Sequence, residues 1–320
     1  MKAILHPKIH EFERHNSEKE IVSNALKNPI DSDPLHIIAK GKNKVLIVTS
    51  DHTRSVPSKI TLPILLNEIR RGNPNADITI LIATGLHRKT TEEEQRTMFG
   101  DVIVDNEKIV CHDATDKQST DFVCILPSGS SFEVNRLVLE TDLLITEGFV
   151  EPHFFAGFSG GRKSILPGVC SEVTIRENHS ARAIADKNSR AGVLEGNIIN
   201  EDMIYAAKKV DVKFTLNVAL DGEKKIIAAF AGDIINSHKE ACEFVSSLSL
   251  VQKVTGDIII TSNGGYPLDQ NLYQSPKAMT TAQACAGEDG VIIMVASCCD
   301  GLGGVEFERM LLERSFAQNY

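Results

Sequence analysis

The chain has 320 residues, a formal net charge of −9, no tryptophan and aromatics at only 5%. That balance argues against a nucleic-acid partner, which needs a basic face or a stacking platform. Hydrophobic residues at 42% and charged residues at 24% are those of a soluble globular protein, and the length predicts two domains rather than one core.

The N-terminus MKAILHPKIHEFERHNSEKE has no signal-peptide core, and no apolar run is long enough to span a bilayer. Seven cysteines without a C-x-x-C pair suit a reducing compartment, so a cytoplasmic location away from membranes is expected. Short apolar runs then alternate with helical patterns, the signature of an α/β protein built on a mainly parallel sheet. KVLIVTS (44–50) reads as a buried strand, followed by a helix with Leu62, Leu65, Leu66 and Ile69 at helical spacing. DITILIAT (77–84) is a second strand, with acidic residues opening the helix beyond it, and TDLLITEG (141–148) is a third. SEVTIRENHSARAIAD reads as one helix from Ser171, with Ile175, His179 and Ala183 along one face. Residues 212–233 read as two strands joined by a turn at Asp221-Gly222, with a helix to about Leu248. A smaller α/β domain then begins: a strand at 256–262, a helix from about Tyr273, a strand at 291–296, the glycine turn CCDGLGG and a last helix. The expected division is 1–250 and 251–320, the second part incomplete because its sheet stops early, with the active site in the cleft between the two.

Ligands of open α/β sheets gather at the carboxyl ends of strands. Three such ends carry polar residues: Asp51, His52, Thr53 and Arg54; Thr84, Gly85 and His87; and Glu147 to Lys163. Each has a plain alternative: Asp51 and Thr53 as helix caps, His87 as a surface loop residue, His153 as a hydrogen-bonded structural histidine, His179 as a core histidine. AGFSGGRKSILPG (156–168) comes close to a phosphate-binding P-loop, but Arg162 stands where its second glycine belongs. A neighbouring cation plus burial would depress the pKa of Lys163 and free its amine for covalent chemistry. His87, His153 and His179 could also make a three-histidine zinc site, although no H-E-x-x-H helix or close histidine pair is present.

Taken together, TSDHTRSVP (49–57), ATGLHR (83–88), EGFVEPHFFAGFSGGRKSILPG (147–168), NH at 178–179 and TSNGGYPLDQNLYQSPKAM (261–279) resemble the nickel-dependent lactate racemase family, in order along nearly the whole chain. The resemblance implies a racemase or epimerase of 2-hydroxy acids, most of all lactate, using a nickel pincer nucleotide, a pyridinium thioamide/thiocarboxylate mononucleotide. By the same resemblance Lys163 is the covalent attachment residue, in a loop whose glycines Gly160 and Gly161 admit the ring. His179 is then the nickel ligand, and His87 and His153 are the acid/base pair. Asp51 and Arg54 are polar residues near the cofactor, and Arg54, Tyr273, Gln274 and Lys277 reach the substrate. The partners implied are a small 2-hydroxy acid and the enzymes that build the cofactor. Relatives continue beyond the point where this chain ends, and Pro152 stands where some carry serine. Two other readings use the same residues: a zinc-dependent hydrolase or lyase, and an inactive relative that binds the cofactor without turnover.

Overall fold

The computed structural model describes residues 3–303 and 305–315. They divide into two compact units, one of residues 7–52 and 56–250, the other of residues 3–6, 53–55 and the described residues from 251 on.

In the larger unit, β1 (Lys44–Ser50), β2 (Asp77–Ala83) and β3 (Lys108–Cys111) are followed by a hairpin of β4 (Thr120–Ile125) and β5 (Ser131–Asn135). Next come β6 (Leu143–Phe149), the two-residue strands β7 (Pro152–His153) and β8 (Gly157–Phe158), then β9 (Phe214–Leu220) and β10 (Ile226–Gly232). Six of these form the central sheet in the order β10-β9-β6-β1-β2-β3. All its pairings are parallel except β9 with β10. The near-continuous apolar runs of β1, β2 and β6 are the expected consequence: a parallel sheet is covered on both faces and has no wet side to make its strands alternate. The helix Ser58–Gly72 buries Leu62, Leu65, Leu66 and Ile69. Each such side chain taken from water contributes about 1.5–3 kcal/mol. Strand ends, and the loops after them, are therefore held on a rigid frame.

Three sequence expectations are corrected. The stretch after Ser171 is two short helices, Glu172–Asn178 and Ala181–Ile184, and His179 is the C-cap between them. Ser180 accepts from Ala183 N–H as a new N-cap, and the extended backbone that this role demands (φ −64°, ψ 154°) stops the first helix despite its apolar periodicity. The turn between β9 and β10 spans Asp221 to Lys225, because the Asp221 carboxylate accepts from both Glu223 N–H and Lys225 N–H and puts the positive φ on Lys224 instead of Gly222. The helix expected from Tyr273 begins at Pro276, whose ring suits a first helical turn and leaves Tyr273 and Gln274 in the preceding loop. β3, the β4–β5 hairpin and the helices Glu18–Lys27 and Ile198–Lys209 were not marked by the sequence pattern.

In the smaller unit, β11 (Gly256–Ser262) and β12 (Ala286–Val295) pair in parallel with the helix Pro276–Gln283 between them in sequence, and the helix Val305–Ser315 follows. Ile258, Ile260, Val291, Ile293 and Val295 are exposed on these strands. No helix among the described residues is long and apolar enough to cross a membrane, and all seven cysteines are free.

Candidate active site

Asp51, directly after β1, is buried, and its Oδ2 lies 2.5 Å from His87 Nδ1. The capping alternative does not hold for Asp51, because the next helix starts from Pro57 without a side-chain cap. His87 closes a turn by donating its N–H to Thr84 O at 2.9 Å, and Gly85 N–H in that turn donates to Gly168 O at 3.0 Å. The loop after β2 is thereby tied to the end of the glycine-rich segment. A carboxylate can only accept, so His87 carries its proton on Nδ1 and presents Nε2 as the basic atom.

Sequence reasoning placed Glu147 at the third strand end but gave this carboxyl, which lies beneath the Asp51 loop, no role. Glu147, in the middle of β6 and fully enclosed, accepts at Oε2 from Thr49 (2.6 Å) and Ser58 (3.1 Å), and at Oε1 from Thr61. Burial raises its pKa and the three hydroxyls pull the other way. The effect is to tether both ends of the Asp51 loop to the sheet.

The departure from a P-loop also has a physical reason. Arg162, fully buried, donates through its Nη1 and Nη2 atoms to the carbonyls of Ala156 (2.8 Å), Phe158 (2.9 Å), Gly160 (3.2 Å) and Ser159 (3.3 Å), and from Nε to Asn200 Oδ1 (2.8 Å). The guanidinium is an internal staple that turns the loop carbonyls inward, the reverse of a loop that offers amides to a phosphate. Gly160 and Gly161 have positive φ (75° and 53°). A Cβ on Gly160 would lie 2.7 Å from Asn217 Oδ1 and 2.9 Å from Phe149 O, and on Gly161 it would lie 2.9 Å from the His238 ring. Close packing of the loop accounts for both glycines.

Lys163 leaves this turn toward a cluster of rings. Its Nζ is 3.5 Å from His153 Nε2 and 5.5 Å from the centre of the Phe155 ring. Phe155 meets His153 edge-on at 4.6 Å and His179 edge-on at 4.7 Å between centroids, so three of the sequence candidates converge on one phenyl ring. Phe154 stacks on His153 at 4.9 Å, and Ala156 N–H donates to His153 Nδ1 at 3.3 Å.

His179 is oriented from behind. Asn178 Nδ2 donates to the Asp202 carboxylate at 3.0 Å, which forces Asn178 Oδ1 toward His179 Nδ1 at 2.9 Å. Nδ1 of His179 must therefore be the donor, and Nε2 keeps its lone pair. Desolvation, and after it the charge of Lys163, pulls the His179 pKa down to about 3. A neutral imidazole with a fixed tautomer is what a metal ligand requires, so His179 fits that role. Among the described residues no group of three or more His, Cys, Asp or Glu side chains is placed to hold a metal ion. The three-histidine zinc site is thus not assembled among the described residues.

In the smaller unit, Arg54 Nη1 donates to Thr53 Oγ1 (2.7 Å) and Gln274 Oε1 (3.3 Å). The loop bearing Tyr273 and Gln274 is pinned by backbone bonds from Leu272 N–H to Gly301 O (3.0 Å) and from Tyr273 N–H to Leu302 O (3.2 Å). Lys277 is half-buried in the first turn of the helix Pro276–Gln283. The glycine turn therefore shapes the loop of candidates that precedes it by some thirty residues.

Four histidines, His52, His112, His179 and His238, have pKa values lowered first by desolvation. In the unfolded chain they titrate near 6.5, so below that pH the unfolded state binds more protons and gains relative stability. Glu147 works in the opposite sense, its contribution being lost as pH rises through its elevated pKa. With four groups against one, thermal melts should show Tm falling as pH is lowered from about 7 to 5. A Tm that stays flat or rises over that range would show that these rings are not held neutral in the fold.

The lactate racemase N-terminal domain family matches residues 2–192, and the lactate racemase C-terminal domain family matches residues 251–320. The lactate racemase of Thermoanaerobacterium thermosaccharolyticum is 50% identical over 319 residues, covering 100% of this chain and 75% of its own. The lactate racemase of Lactiplantibacillus plantarum is 51% identical over 301 residues, 93% of this chain and 71% of its own. The solved lactate racemase apoprotein from T. thermosaccharolyticum superposes with a TM-score of 0.90 over 97% of this chain and 72% of that one, at 51% identity. A Thermotoga maritima protein shares the fold at 22% identity, with a TM-score of 0.63 over 81% of this chain and 67% of that one. With both domain families matched and half of all aligned positions identical to enzymes of this name, the chain belongs to the lactate racemase family and is an isomerase.

Proposed function

We propose that the chain interconverts the enantiomers of a small 2-hydroxy acid, lactate first, with a nickel pincer nucleotide attached at Lys163. The observation that carries the reading is the convergence of Lys163, His153 and His179 on Phe155, with the His179 tautomer fixed so that Nε2 can bind a metal. The α-hydrogen of an ionised hydroxy acid is barely acidic, because its loss as a proton would make a dianion. When bound, the cofactor supplies a hydride acceptor, so that this hydrogen leaves with its electron pair. Lys163 would hold the cofactor covalently, His179 would ligate the nickel, and Asp51, Arg54 and the Gly160–Gly161 loop would line it.

The chain's own residues handle the proton. His87 Nε2, basic because Asp51 keeps the other proton on Nδ1, takes the hydroxyl proton as the carbonyl forms, and His153 returns a proton to the oxygen once the planar keto acid has turned over. In the reverse direction the two exchange roles, so each turnover begins with one imidazole neutral and the other protonated. Protonation of His153 gives up its 3.3 Å bond from Ala156 N–H, a weak contact to lose. Arg54 and Lys277 supply cations for the substrate carboxylate, with Tyr273 and Gln274 as further substrate contacts.

The test is to produce the chain together with cofactor-building enzymes, measure bound metal, and follow conversion of pure L-lactate by chiral chromatography. Nickel near one per chain with D-lactate appearing is the expected result. Zinc alone, or a loaded chain that leaves L-lactate unchanged, would favour the hydrolase or the inactive-relative reading.

A further inference from the structure

His238 lies in the helix Asn236–Ser249, outside the residues matched by either domain family. It is buried, its ring abuts Gly161, and its Nε2 is 2.8 Å from Ser159 O and 2.9 Å from Arg162 Nη1. Arg162 is the largest fully buried side chain among the described residues, and its guanidinium donates to four backbone carbonyls and to the Asn200 amide oxygen. Its charge is balanced by carbonyl dipoles and an amide oxygen. A second cation at His238 would be expelled from such a place, and desolvation together with the Arg162 charge keeps the ring neutral. Lys163 is the next residue, and its own N–H closes the turn onto Gly160 O at 3.1 Å.

We propose that His238 is a positioning residue for Lys163. By donating Nε2–H to Ser159 O from an independent helix, with its ring packed beside Arg162 and Gly161, it fixes the turn that points the lysine at His153 and Phe155. The proposal rests on the reading of Lys163 as the cofactor-attachment residue. It explains why a loop of glycines, which would otherwise sample many conformations, can present one amine in one place.

The experiment uses His238→Asn, whose amide is too short to reach Ser159 O, and His238→Gln, whose terminal amide reaches where Nε2 was. Two quantities are read: hydrogen–deuterium exchange of the peptide spanning residues 156–168 in the cofactor-free protein, and the intact-mass fraction carrying the adduct after co-production with cofactor-building enzymes. The Asn variant should exchange that peptide roughly tenfold faster and load at least about fivefold less, while the Gln variant restores both and the exchange of β1 and β6 stays unchanged. If the Asn variant exchanges and loads like wild type, or if Asn and Gln loosen the whole sheet equally, the proposal is overturned. A wild type that takes no adduct while the Asn variant still loosens the loop would sink the attachment reading and support the hold of His238 on the turn. Should the Asn variant not fold, wild-type exchange decides. Peptide 156–168 should be protected like the helix Asn236–Ser249, and exchange more than about tenfold faster than that helix would overturn the proposal.

Discussion

Replacing Lys163 with alanine should give a protein that folds and melts like wild type but carries no adduct in intact-mass analysis and does not racemise lactate. The side chain is half-buried and in contact with His153 and the Phe155 ring. Truncation therefore removes a half-buried cation from beside His153 and the Phe155 ring, a change worth well under the whole stability of a domain of this size. Activity should fall to the uncatalysed level, because the lysine is the only covalent link proposed. An adduct that persists in Lys163→Ala would place the attachment elsewhere and remove the foundation of the functional reading. Lys163→Arg is the informative companion. It keeps the charge yet cannot form the same bond, so it too should lack the adduct.

The second large effect is expected at Asp51. Asparagine keeps the shape and can still accept from His87 Nδ1, but it removes the negative charge that, on the proposed function, would stabilise the imidazolium formed as His87 takes the hydroxyl proton. It can also donate, which admits the wrong tautomer. The expected cost in kcat is roughly 10²- to 10⁴-fold, the range for a positioned acid–base group, with cofactor loading unchanged. His87→Ala should cost a similar factor, and the double variant little more than either single one, since the two side chains act as a unit. Steady-state rates with nickel-loaded protein decide this. If the double variant multiplies the two losses, Asp51 acts on something other than His87.

The sequence made the frame legible where burial leaves a continuous apolar signature, as in KVLIVTS and DITILIAT, because a strand covered on both faces has few alternatives. Asp51, His87, His153 and Lys163 were visible through short motifs beyond strand ends, and His179 through the Asn-His pair after Glu177. Their supports were not. Asp202, which fixes the tautomer of His179 through Asn178, lies 23 residues further along the chain, within a helix that the pattern did not mark, and nothing local distinguishes it from a surface acid. Glu147 was legible at the end of the third strand, but not the three hydroxyls that converge on it. His238 follows 76 residues after the arginine it contacts. Such contacts depend on which strands become neighbours, and short-range periodicity carries no information about that. The break at Ser180 was misread for a different reason, since one local signal, apolar spacing, was outweighed by another, serine capping.

The strand order has a consequence for the life history of the molecule. β1 lies between β2 and β6, pairing Val45 with Leu143, and β6 in turn pairs Ile145 with Phe214. The central strand thus waits for a partner made about a hundred residues later, and that partner waits for another seventy. Pairings so distant in sequence form late and slowly. The β1–β2 pair that carries the loops of Asp51 and His87 can form early, but the β6 and β9 strands that complete the sheet come later. On the proposed function, an enzyme that installs the cofactor would meet the finished Lys163 turn only once synthesis has passed the helix Asn236–Ser249, which supplies the contact of His238 to Ser159 O.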